Sequence, residues 1–569
     1  MQNGQWETRR ILHRWKKDSD YFNVRPVDSV KNDKLDHGIY LDTAQWKFAD
    51  NDEEAGVSSV YDGLVTVIPL SEHGTPAVEK SKQEELLGWK EFGAKMDVPY
   101  TGQKLLSSRW VIVQKENPDG SSRLKARLVI RGCETPPEDR ARSDSPCAGR
   151  DSLGTTLVIS ATRNWKIKLV DVKNAFLQSH QLLPKERIHV NPPKDLRRPG
   201  YCWELLRPVY GDSSASRRWW ITLSGFLQET GGTVSTLDHC VISFYDQNQK
   251  LTAVVCSWVD DLYITGVDSQ IEHIVTEIET HFVIGKIHTN VFRYTGLQLD
   301  HQEKGIYVDQ LDYIRDIETS PVRHRDRSEA CTSDENTQLR HNVGAVLWVA
   351  GATMPDCSWS ACELSTQFKR ATLGALRDSN KLITKLKTTA VRVLYSKLTS
   401  IPFFLLWADA SLGNLPNKVD TGGGYIILIA DKDGNCAPMS WVANRIRRVV
   451  SSTLAAECLI LLQAVDHAYY LRGLLAEILN REPSMFDMIA MSDSKNLVSN
   501  LHSVHQPKEY RLRFEIAQLQ QYMGQGLTVR HVPGCSQLAD PLSKGTASSS
   551  LLLECMKSGR LLEQCRIEK

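Results

Sequence analysis

In Ser257-Trp258-Val259-Asp260-Asp261-Leu262-Tyr263-Ile264, two adjacent carboxylates interrupt a run of apolar, β-branched and aromatic residues that begins at Ala253. Such a run predicts two short strands with the acids at the break between them. Because neighbouring side chains of a strand point to opposite faces, only a tight turn lets Asp260 and Asp261 face one site. Paired acids in an apolar setting favour a divalent cation such as Mg²⁺. The alternative is an ordinary surface turn, where Asp is common.

A second predicted strand carries one acid, Asp171. In Asp171-Val172-Lys173-Asn174-Ala175-Phe176-Leu177, the end of this apolar strand is followed by a segment that can turn helical. Together with Trp258-Val259-Asp260-Asp261 further along, the pattern resembles the palm of a reverse transcriptase, in the version found in copia-type LTR retrotransposons. Without this motif, Phe176 would be interpreted as an ordinary core aromatic residue.

The resemblance implies a chemistry for these residues. Asp171 and Asp260 would hold two divalent cations, Mg²⁺ or Mn²⁺, for nucleotidyl transfer, and Asp261 would support the primer end or the metal shell. One cation would activate the primer 3′-hydroxyl, and the other would hold the triphosphate. Phe176 would stand under the nucleotide sugar, where a bulky ring leaves no room for a 2′-hydroxyl and so selects deoxynucleotides.

An upstream hairpin carries two basic residues on one strand. Residues 110–113 and 124–130 are predicted strands, joined by a turn at residues 117–120 that contains Asp-Gly. Lys125 and Arg127 are two residues apart, so they share a face. Their segment is similar to the Lys-Ala-Arg-Leu-Val-x-Arg-Gly of copia-type fingers, which implies that both cations meet the incoming triphosphate. A basic outer face of a strand is the alternative.

The segment at residues 207–220 resembles the family's Tyr-Gly-Leu-Lys-Gln-Ala-Pro-Arg-x-Trp block, but with substitutions. Asp212-Ser213-Ser214 replaces Leu-Lys-Gln, and Ser216 replaces the proline. The family's Gln lies close to the nucleotide sugar, and a serine is too short to make the same contact. The resemblance therefore implies that Ser214 alters the affinity of the protein for nucleotides.

Four further acids occur in the last third of the chain, each in a recognisable local context. They are Asp409 in Asp-Ala-Ser, Glu457 in Ser-Thr-Leu-Ala-Ala-Glu, Asp493 in Ser-Asp-Ser, and Asp540 in Ala-Asp-Pro-Leu-Ser-Lys-Gly. Each acid alone would be dismissed as a strand end or a helix surface. Their order resembles the four carboxylates of RNase H. The resemblance implies that they bind two metal ions, about 3.5–4 Å apart, which activate water and stabilise the leaving 3′ oxygen.

Bulk properties limit the class of protein. The chain has 569 residues, 41% of them hydrophobic, which supports packed cores in several domains. Its formal net charge of +1 excludes a global field that attracts nucleic acid, so any such affinity must come from local basic patches. Thirteen cysteines without a Cys-x-x-Cys pair suggest reduced thiols in an intracellular compartment. We expect no signal peptide in residues 1–20 and no membrane span.

The resemblance, to the Pol polyprotein of copia-type LTR retrotransposons, covers about residues 77–545. It implies a multidomain chain, with an α+β reverse-transcriptase hand of fingers, palm and thumb followed by an α/β RNase H-like domain. We therefore predict an uninformative leader at 1–75, fingers and palm at 76–320, thumb or connection helices at 321–400, and the RNase H-like domain at 401–569. No protease, integrase or zinc-knuckle signature is visible, so we expect a processed product, a split reading frame or a fragment.

The implied partners are an RNA template, a DNA primer, an RNA–DNA hybrid and deoxynucleoside triphosphates, with no membrane. The implied location is a cytoplasmic retroelement particle or the nucleus, and the oligomeric state stays open. Two alternatives remain. One is a decayed or host-adopted element that binds nucleic acid without polymerase activity. The other is an RNase H attached to a silent polymerase fold.

Overall fold

The computed structural model describes residues 73–116, 122–135, 142–505 and 507–566, together with four short strands near the start of the chain. Three of those strands pair as an antiparallel sheet: Arg9–Arg14, Tyr21–Pro26 and Asp36–Tyr40. The predicted turn at residues 117–120, and most of the predicted leader, lie outside the described residues. The chain clusters into two compact units, one of residues 1–146 and 173–226, the other of residues 147–172 and 227–569. The predicted domain boundaries stay predictions.

The first unit combines a helix with a six-stranded sheet. Helix Pro76–Glu91 begins with a proline, whose missing N–H is not needed at a first helical position. Its Ser81 hydroxyl donates to the Leu124 carbonyl at 3.2 Å, so the helix lies along one strand of the sheet. The strands of the sheet are Thr66–Val67, Lys95–Pro99, Leu105–Glu116, Ser122–Ile130, His189–Asn191 and Tyr201–Leu205. Helix Ala215–Glu229 begins near the end of this unit.

The second unit begins with a six-stranded antiparallel sheet, here called the hairpin sheet. Its strands, in spatial order, are Thr233–Val234, Val241–Tyr245, Leu251–Trp258, Asp261–Gly266, Lys166–Val172 and Ile284–Thr289. Helices Arg150–Arg163 and Asp268–His281 pack against it. The Ser160 and Tyr263 hydroxyls are hydrogen-bonded at 2.9 Å in the buried interface. Central strands that helices cover can be apolar along nearly their whole length. This explains the run of apolar residues in strand Leu251–Trp258.

A four-stranded antiparallel sheet and four helices follow in the second unit. The strands are Val291–Tyr294, Leu297–Gln302, Gly305–Asp309 and Val393–Ser396, and the helices are Leu311–Asp316, Ser333–Ala350, Ser358–Ser365 and Leu373–Thr389. The helices share an apolar core. Asn342 is fully buried in it, and its amide donates to Ser379 and Asn380, each at 3.0 Å. This satisfied polar contact joins the two longest of these helices.

Helix Ser333–Ala350 begins with a capping box that an arginine reinforces. The Thr332 hydroxyl accepts from the Glu335 N–H at 3.2 Å, and the Glu335 carboxylate accepts from the Thr332 N–H at 2.8 Å. Arg323 Nη2 also donates to Glu335 at 2.8 Å. The hydrogen bonds from Arg323 and Thr332 lower the pKa of Glu335 to about 2. The ionised carboxylate therefore stabilises the start of this helix.

We expect Glu335→Gln to lower the melting temperature at neutral pH. A carboxylate whose folded pKa is depressed contributes stability above its ordinary value of 4.5, and that contribution is lost as the pH falls toward about 2. The difference in melting temperature between wild type and variant should therefore shrink over this range. Thermal melts at a series of pH values measure it, with exposed Glu318→Gln as the control. A difference that did not change with pH would contradict the assignment.

The second unit ends with a five-stranded sheet, here called the mixed sheet. Its strands, in spatial order, are Cys436–Arg445, Gly422–Ala430, Phe403–Ser411, Met488–Ser492 and Leu527–His531. The first three pair antiparallel and the last three pair parallel. Parallel neighbours need crossover connections, and helices Thr453–Leu479, Lys495–His502 and Arg513–Gly524 lie in these. Within the described ranges, no helix has the length and apolar character that crossing a bilayer requires.

Helix Thr453–Leu479, which packs on the mixed sheet, contacts helix Arg150–Arg163, which packs on the hairpin sheet, through a chain of hydrogen bonds. His467 Nε2 lies 2.7 Å from an Asp151 carboxylate oxygen, and His467 Nδ1 lies 3.0 Å from the Tyr425 hydroxyl. Near the end of the long helix, the Tyr245 hydroxyl donates to the Glu477 carbonyl at 3.1 Å. The hairpin sheet and the mixed sheet are therefore tied together by polar contacts between residues far apart in the chain.

Candidate metal and catalytic sites

The structure contains the hairpin that the sequence predicts around Asp260. Strand Leu251–Trp258 ends beside the start of strand Asp261–Gly266, and only Val259 and Asp260 form the turn between them. Val259 has φ +52°. A β-branched residue rarely adopts this left-handed conformation, and such strain persists only where the surrounding structure imposes it. The turn therefore removes Asp260 from the alternation of the strands.

The three predicted acids of the hairpin sheet lie at one end of neighbouring strands. Asp261 is directly opposite Asp171 in the antiparallel pair, and opposite residues share a face of the sheet. The Val172 N–H donates to the Asp260 carbonyl at 3.0 Å, which brings the turn against the end of the next strand. All three acids are partly exposed. They could therefore bind cations that enter from solvent.

A β-bulge, which no local pattern in the sequence predicts, positions the Asp171 carboxylate. Ile284 pairs with Val172, and Ile287 pairs with Val170, so Gly285 and Lys286 together oppose Asp171. A Cβ atom at residue 285 would lie 2.0 Å from Asp171 Oδ2. The carboxylate thus occupies the space that a side chain at this position would take.

The predicted nucleotide-binding residues lie in the first unit. Lys125 and Arg127 share the more exposed face of strand Ser122–Ile130, opposite its buried residues Ala126 and Leu128, so the predicted alternation is present. The Arg127 guanidinium carbon is 4.6 Å from the centroid of the Tyr210 ring. Tyr210 meets Phe176 edge to face, with the ring centroids 5.0 Å apart. Tyr210, which is not among the site residues predicted from the sequence, therefore joins Arg127 to Phe176.

The neighbouring Gly211 allows Tyr210 to lie against this strand. Gly211 has φ +87°, and a Cβ there would lie 2.0 Å from the Ile130 carbonyl oxygen. The Ile130 N–H donates to the Tyr210 carbonyl at 2.9 Å. Only glycine fits both the backbone conformation and the close approach. The Tyr-Gly pair is therefore required by packing as well as by the position of the Tyr210 ring.

The segment that departs from the family pattern forms the start of helix Ala215–Glu229. The Ser214 hydroxyl donates to both carboxylate oxygens of Asp212 at 3.1 Å, and it accepts from Arg218 Nε at 3.0 Å. Burial raises the pKa of Asp212. Ser214 is thus engaged with protein groups that support the helix.

Three of the four acids predicted in the last third meet at the mixed sheet. Asp409 and Asp493 lie side by side at the ends of neighbouring parallel strands. Trp407 pairs with Met491, and each acid follows its member of this pair by two residues. Glu457 comes from one turn inside helix Thr453–Leu479. One ligand atom from each acid lies within 4.8 Å of the other two. Among the described residues, Asp171, Asp260 and Asp261 do not form such a group.

Because Asp409 and Glu457 are buried, their ionised forms are energetically unfavourable unless a cation neutralises them. The exposed fractions of Asp409 and Glu457 are 1% and 8%. Burial raises the pKa of Asp409 to about 6, and burial with the neighbouring Asp409 and Asp493 raises that of Glu457 to about 9. Glu457 Oε2 has no hydrogen-bond partner in the described part of the chain. Since divalent cations such as Mg²⁺ prefer carboxylate oxygens, the three acids fit a metal ion.

Asp540 joins the group through a lysine. Asp540 Oδ1 lies 2.9 Å from Lys544 Nζ, which in turn lies 3.1 Å from Asp409 Oδ2. The Ser543 hydroxyl also donates to Asp409. Neither Ser543 nor Lys544 is among the site residues predicted from the sequence. The sequence feature that indicates Lys544 is its i, i+4 spacing from Asp540, which places the two side chains on one face of a helical turn.

Comparison with known proteins supports the resemblance. Residues 95–321 match the family model described as "Reverse transcriptase (RNA-dependent DNA polymerase)", which confirms that prediction over this range. The chain is 26% identical over 462 residues to "Retrovirus-related Pol polyprotein from transposon RE1" of Arabidopsis thaliana, covering 77% of this chain and 31% of that protein. The corresponding RE2 protein of Arabidopsis thaliana is 27% identical over 464 residues, with the same shares. The chain therefore spans under a third of the length of these relatives.

Among solved structures, the foamy viral protease-reverse transcriptase dRH in complex with ds DNA covers 80% of this chain and 70% of its own, at 13% identity and a TM-score of 0.49. A likeness at that level is distant. The resemblance to copia-type Pol proteins thus rests on the family match and on the two plant relatives.

Proposed function

We propose that this chain, which contains a reverse transcriptase domain at residues 95–321, is the RNA-directed DNA polymerase and ribonuclease H of a copia-type retrotransposon. The observation that carries the proposal is the gathering of Asp171, Asp260 and Asp261 at one end of the hairpin sheet, inside the stretch that matches the family. The buried acids of the mixed sheet support the second activity.

In the polymerase, the acids of the hairpin sheet would hold Mg²⁺ or Mn²⁺. When bound, two such ions activate a primer 3′-hydroxyl and neutralise the triphosphate. Asp171 and Asp260 would be their ligands, and Asp261 would support them from the strand opposite Asp171. The donor set fits these ions, since it consists of partly exposed carboxylates alone.

The first unit would bind the nucleotide. Lys125 and Arg127 would offset the negative charge of the phosphates. The Phe176 ring would exclude a 2′-hydroxyl, and Tyr210 would keep Arg127 and Phe176 in fixed orientations through its two ring contacts. The template and primer would be gripped through phosphates and A-form shape, so binding should weaken steeply with salt.

In the nuclease, Asp409, Glu457, Asp493 and Asp540 would hold divalent cations. Ions bound there activate water for attack on the RNA strand of an RNA–DNA hybrid and stabilise the leaving 3′ oxygen. The strand order of the mixed sheet supports an RNase H-like domain, because three antiparallel strands are followed by a helix that carries Glu457 and by two parallel strands. Asp409 would be kept in place by Ser543.

Primer extension on an RNA template with Mg²⁺ or Mn²⁺ tests the polymerase, and cleavage of a labelled RNA–DNA hybrid tests the nuclease. Metal-dependent extension and cleavage would support the proposal. Cleavage without extension would favour an RNase H attached to a silent polymerase fold, with Ser214 as a candidate cause. Binding of the hybrid without either reaction would favour a decayed or host-adopted protein.

We expect Phe176→Val to weaken the discrimination against ribonucleotides. The smaller side chain leaves room for a 2′-hydroxyl, so incorporation of ribonucleotides relative to deoxynucleotides should rise about 10–100-fold. Single-nucleotide extension with each type of substrate measures the ratio. Phe176→Tyr keeps a ring of similar size and serves as the control. An unchanged ratio in Phe176→Val would mean that Phe176 does not face the sugar.

A further inference from the structure

Lys544 places an ammonium group between two of the four acids of the mixed sheet. Its Nζ atom lies 3.1 Å from Asp409 Oδ2, 3.3 Å from Asp409 Oδ1 and 2.9 Å from Asp540 Oδ1. The Asp409 side chain is only 2% exposed, and Ser543 donates a further hydrogen bond to it. The space between Asp409 and Asp540 therefore already contains a positive charge.

Glu457 and Asp493, on the other side of Asp409, have a different environment from that of Asp540. Ligand atoms of Asp409, Glu457 and Asp493 lie within 4.8 Å of one another. Glu457 is 8% exposed, and its Oε2 atom has no hydrogen-bond partner among the described residues. A buried oxygen in this situation is costly unless a cation compensates it. The four acids thus divide into one part that holds an ammonium and one part that lacks a counter-charge.

We propose that this site binds a single divalent cation tightly, through Asp409, Glu457 and Asp493, and that the Lys544 ammonium takes the place of a second cation between Asp409 and Asp540. This inference rests on the proposed nuclease function, and it differs from the expectation of two metal ions at this site. A second ion binds only when Lys544 moves aside.

Repulsion between like charges supports one ion. The Lys544 ammonium lies 3.1 Å from Asp409 Oδ2 and 2.9 Å from Asp540 Oδ1. A second divalent cation between the same two acids would lie beside this ammonium, and the two positive charges would repel each other. The Lys544 side chain is 38% exposed. Its flexible four-carbon stem can therefore carry the ammonium into solvent if a second ion arrives at high concentration.

Counting bound Mn²⁺ by electron paramagnetic resonance tests the inference on the full chain. Asp171→Asn and Asp260→Asn are introduced first, so that the hairpin acids do not contribute ions. In this background we expect one tightly bound Mn²⁺, which is lost with Asp493→Asn. Adding Lys544→Gln should tighten the binding of a second Mn²⁺ at least tenfold. Lys544→Arg keeps the charge and should behave as the background does.

Melting temperatures with and without Mn²⁺ give a second measurement. The ion should raise the melting temperature more in Lys544→Gln than in Lys544→Arg, because the glutamine leaves one more acid charge uncompensated. Two tight ions in the background chain, or equal binding by the glutamine and arginine variants, would overturn the role of Lys544 and leave the nuclease proposal intact. Binding of no ion by any variant would overturn both.

Discussion

Asp260→Asn should lower the rate of primer extension by about 10³-fold and leave cleavage of RNA in an RNA–DNA hybrid at the wild-type level, if the proposed function is correct. The amide keeps the shape of the side chain but loses the charge that a divalent cation requires. The turn itself should be preserved, because Asp260 contacts Val172 through its backbone carbonyl. Extension of a labelled primer and cleavage of a labelled hybrid, measured on the same preparation, check both parts of this expectation.

A matched control for this change lies at the other end of the same strand. Asp246 caps the turn before strand Leu251–Trp258 and accepts hydrogen bonds from the N–H groups of Asn248 and Lys250. Asp246→Asn removes a turn carboxylate without touching the candidate site, so both activities should persist. If Asp260→Asn removed both activities, or neither, the assignment of separate polymerase and nuclease sites would be wrong.

Glu457→Gln has opposite effects on activity and on stability. Hybrid cleavage should fall by about 10³-fold, because the group of three acids loses one ligand charge. Primer extension should stay unchanged. In the presence of a chelator at neutral pH the melting temperature should rise, by roughly 2–4 °C, since folding no longer has to raise the pKa of a buried acid from 4.5 to about 9 beside Asp409 and Asp493. Cleavage assays and thermal melts in EDTA measure the two effects.

The control for Glu457→Gln is Glu482→Gln, an exposed acid just beyond the end of the same helix. It should alter neither cleavage nor the melting temperature. A Glu457→Gln protein that melted at a lower temperature without metal would show that the carboxylate stabilises the fold, and the case for a cation at this position would then fail.

The chemistry-bearing residues were predictable where a local pattern carries them. Asp260 stands at a break in an apolar run, and the alternation around Lys125 and Arg127 is a property of any strand. Lys544, which links Asp409 to Asp540, belongs to the Ala-Asp-Pro-Leu-Ser-Lys-Gly motif, but nothing local predicts that its ammonium reaches an acid 135 residues away. The bulge under Asp171 and the ring contacts of Tyr210 also depend on pairing between distant segments, which a one-dimensional pattern does not contain.

The two groups of acids differ in how closely they approach. Asp409, Glu457 and Asp493 are held together by a strand, a helix and a second strand, all buried. In the hairpin sheet, Asp260 lies on a turn and the Asp171 carboxylate lies over Gly285. The first group is therefore held together by buried elements, whereas the second lies at the partly exposed end of a sheet.

The contact between Asp151 and His467 has a consequence for the order in which the chain is made. The two residues are 316 positions apart, and at roughly 5–20 residues per second the ribosome needs about 15–60 s to travel between them. During that interval, helix Arg150–Arg163 has emerged but its later partner has not. The polar contact between the hairpin sheet and the mixed sheet can therefore form only after residue 467 has been translated, long after the hairpin sheet and its two helices.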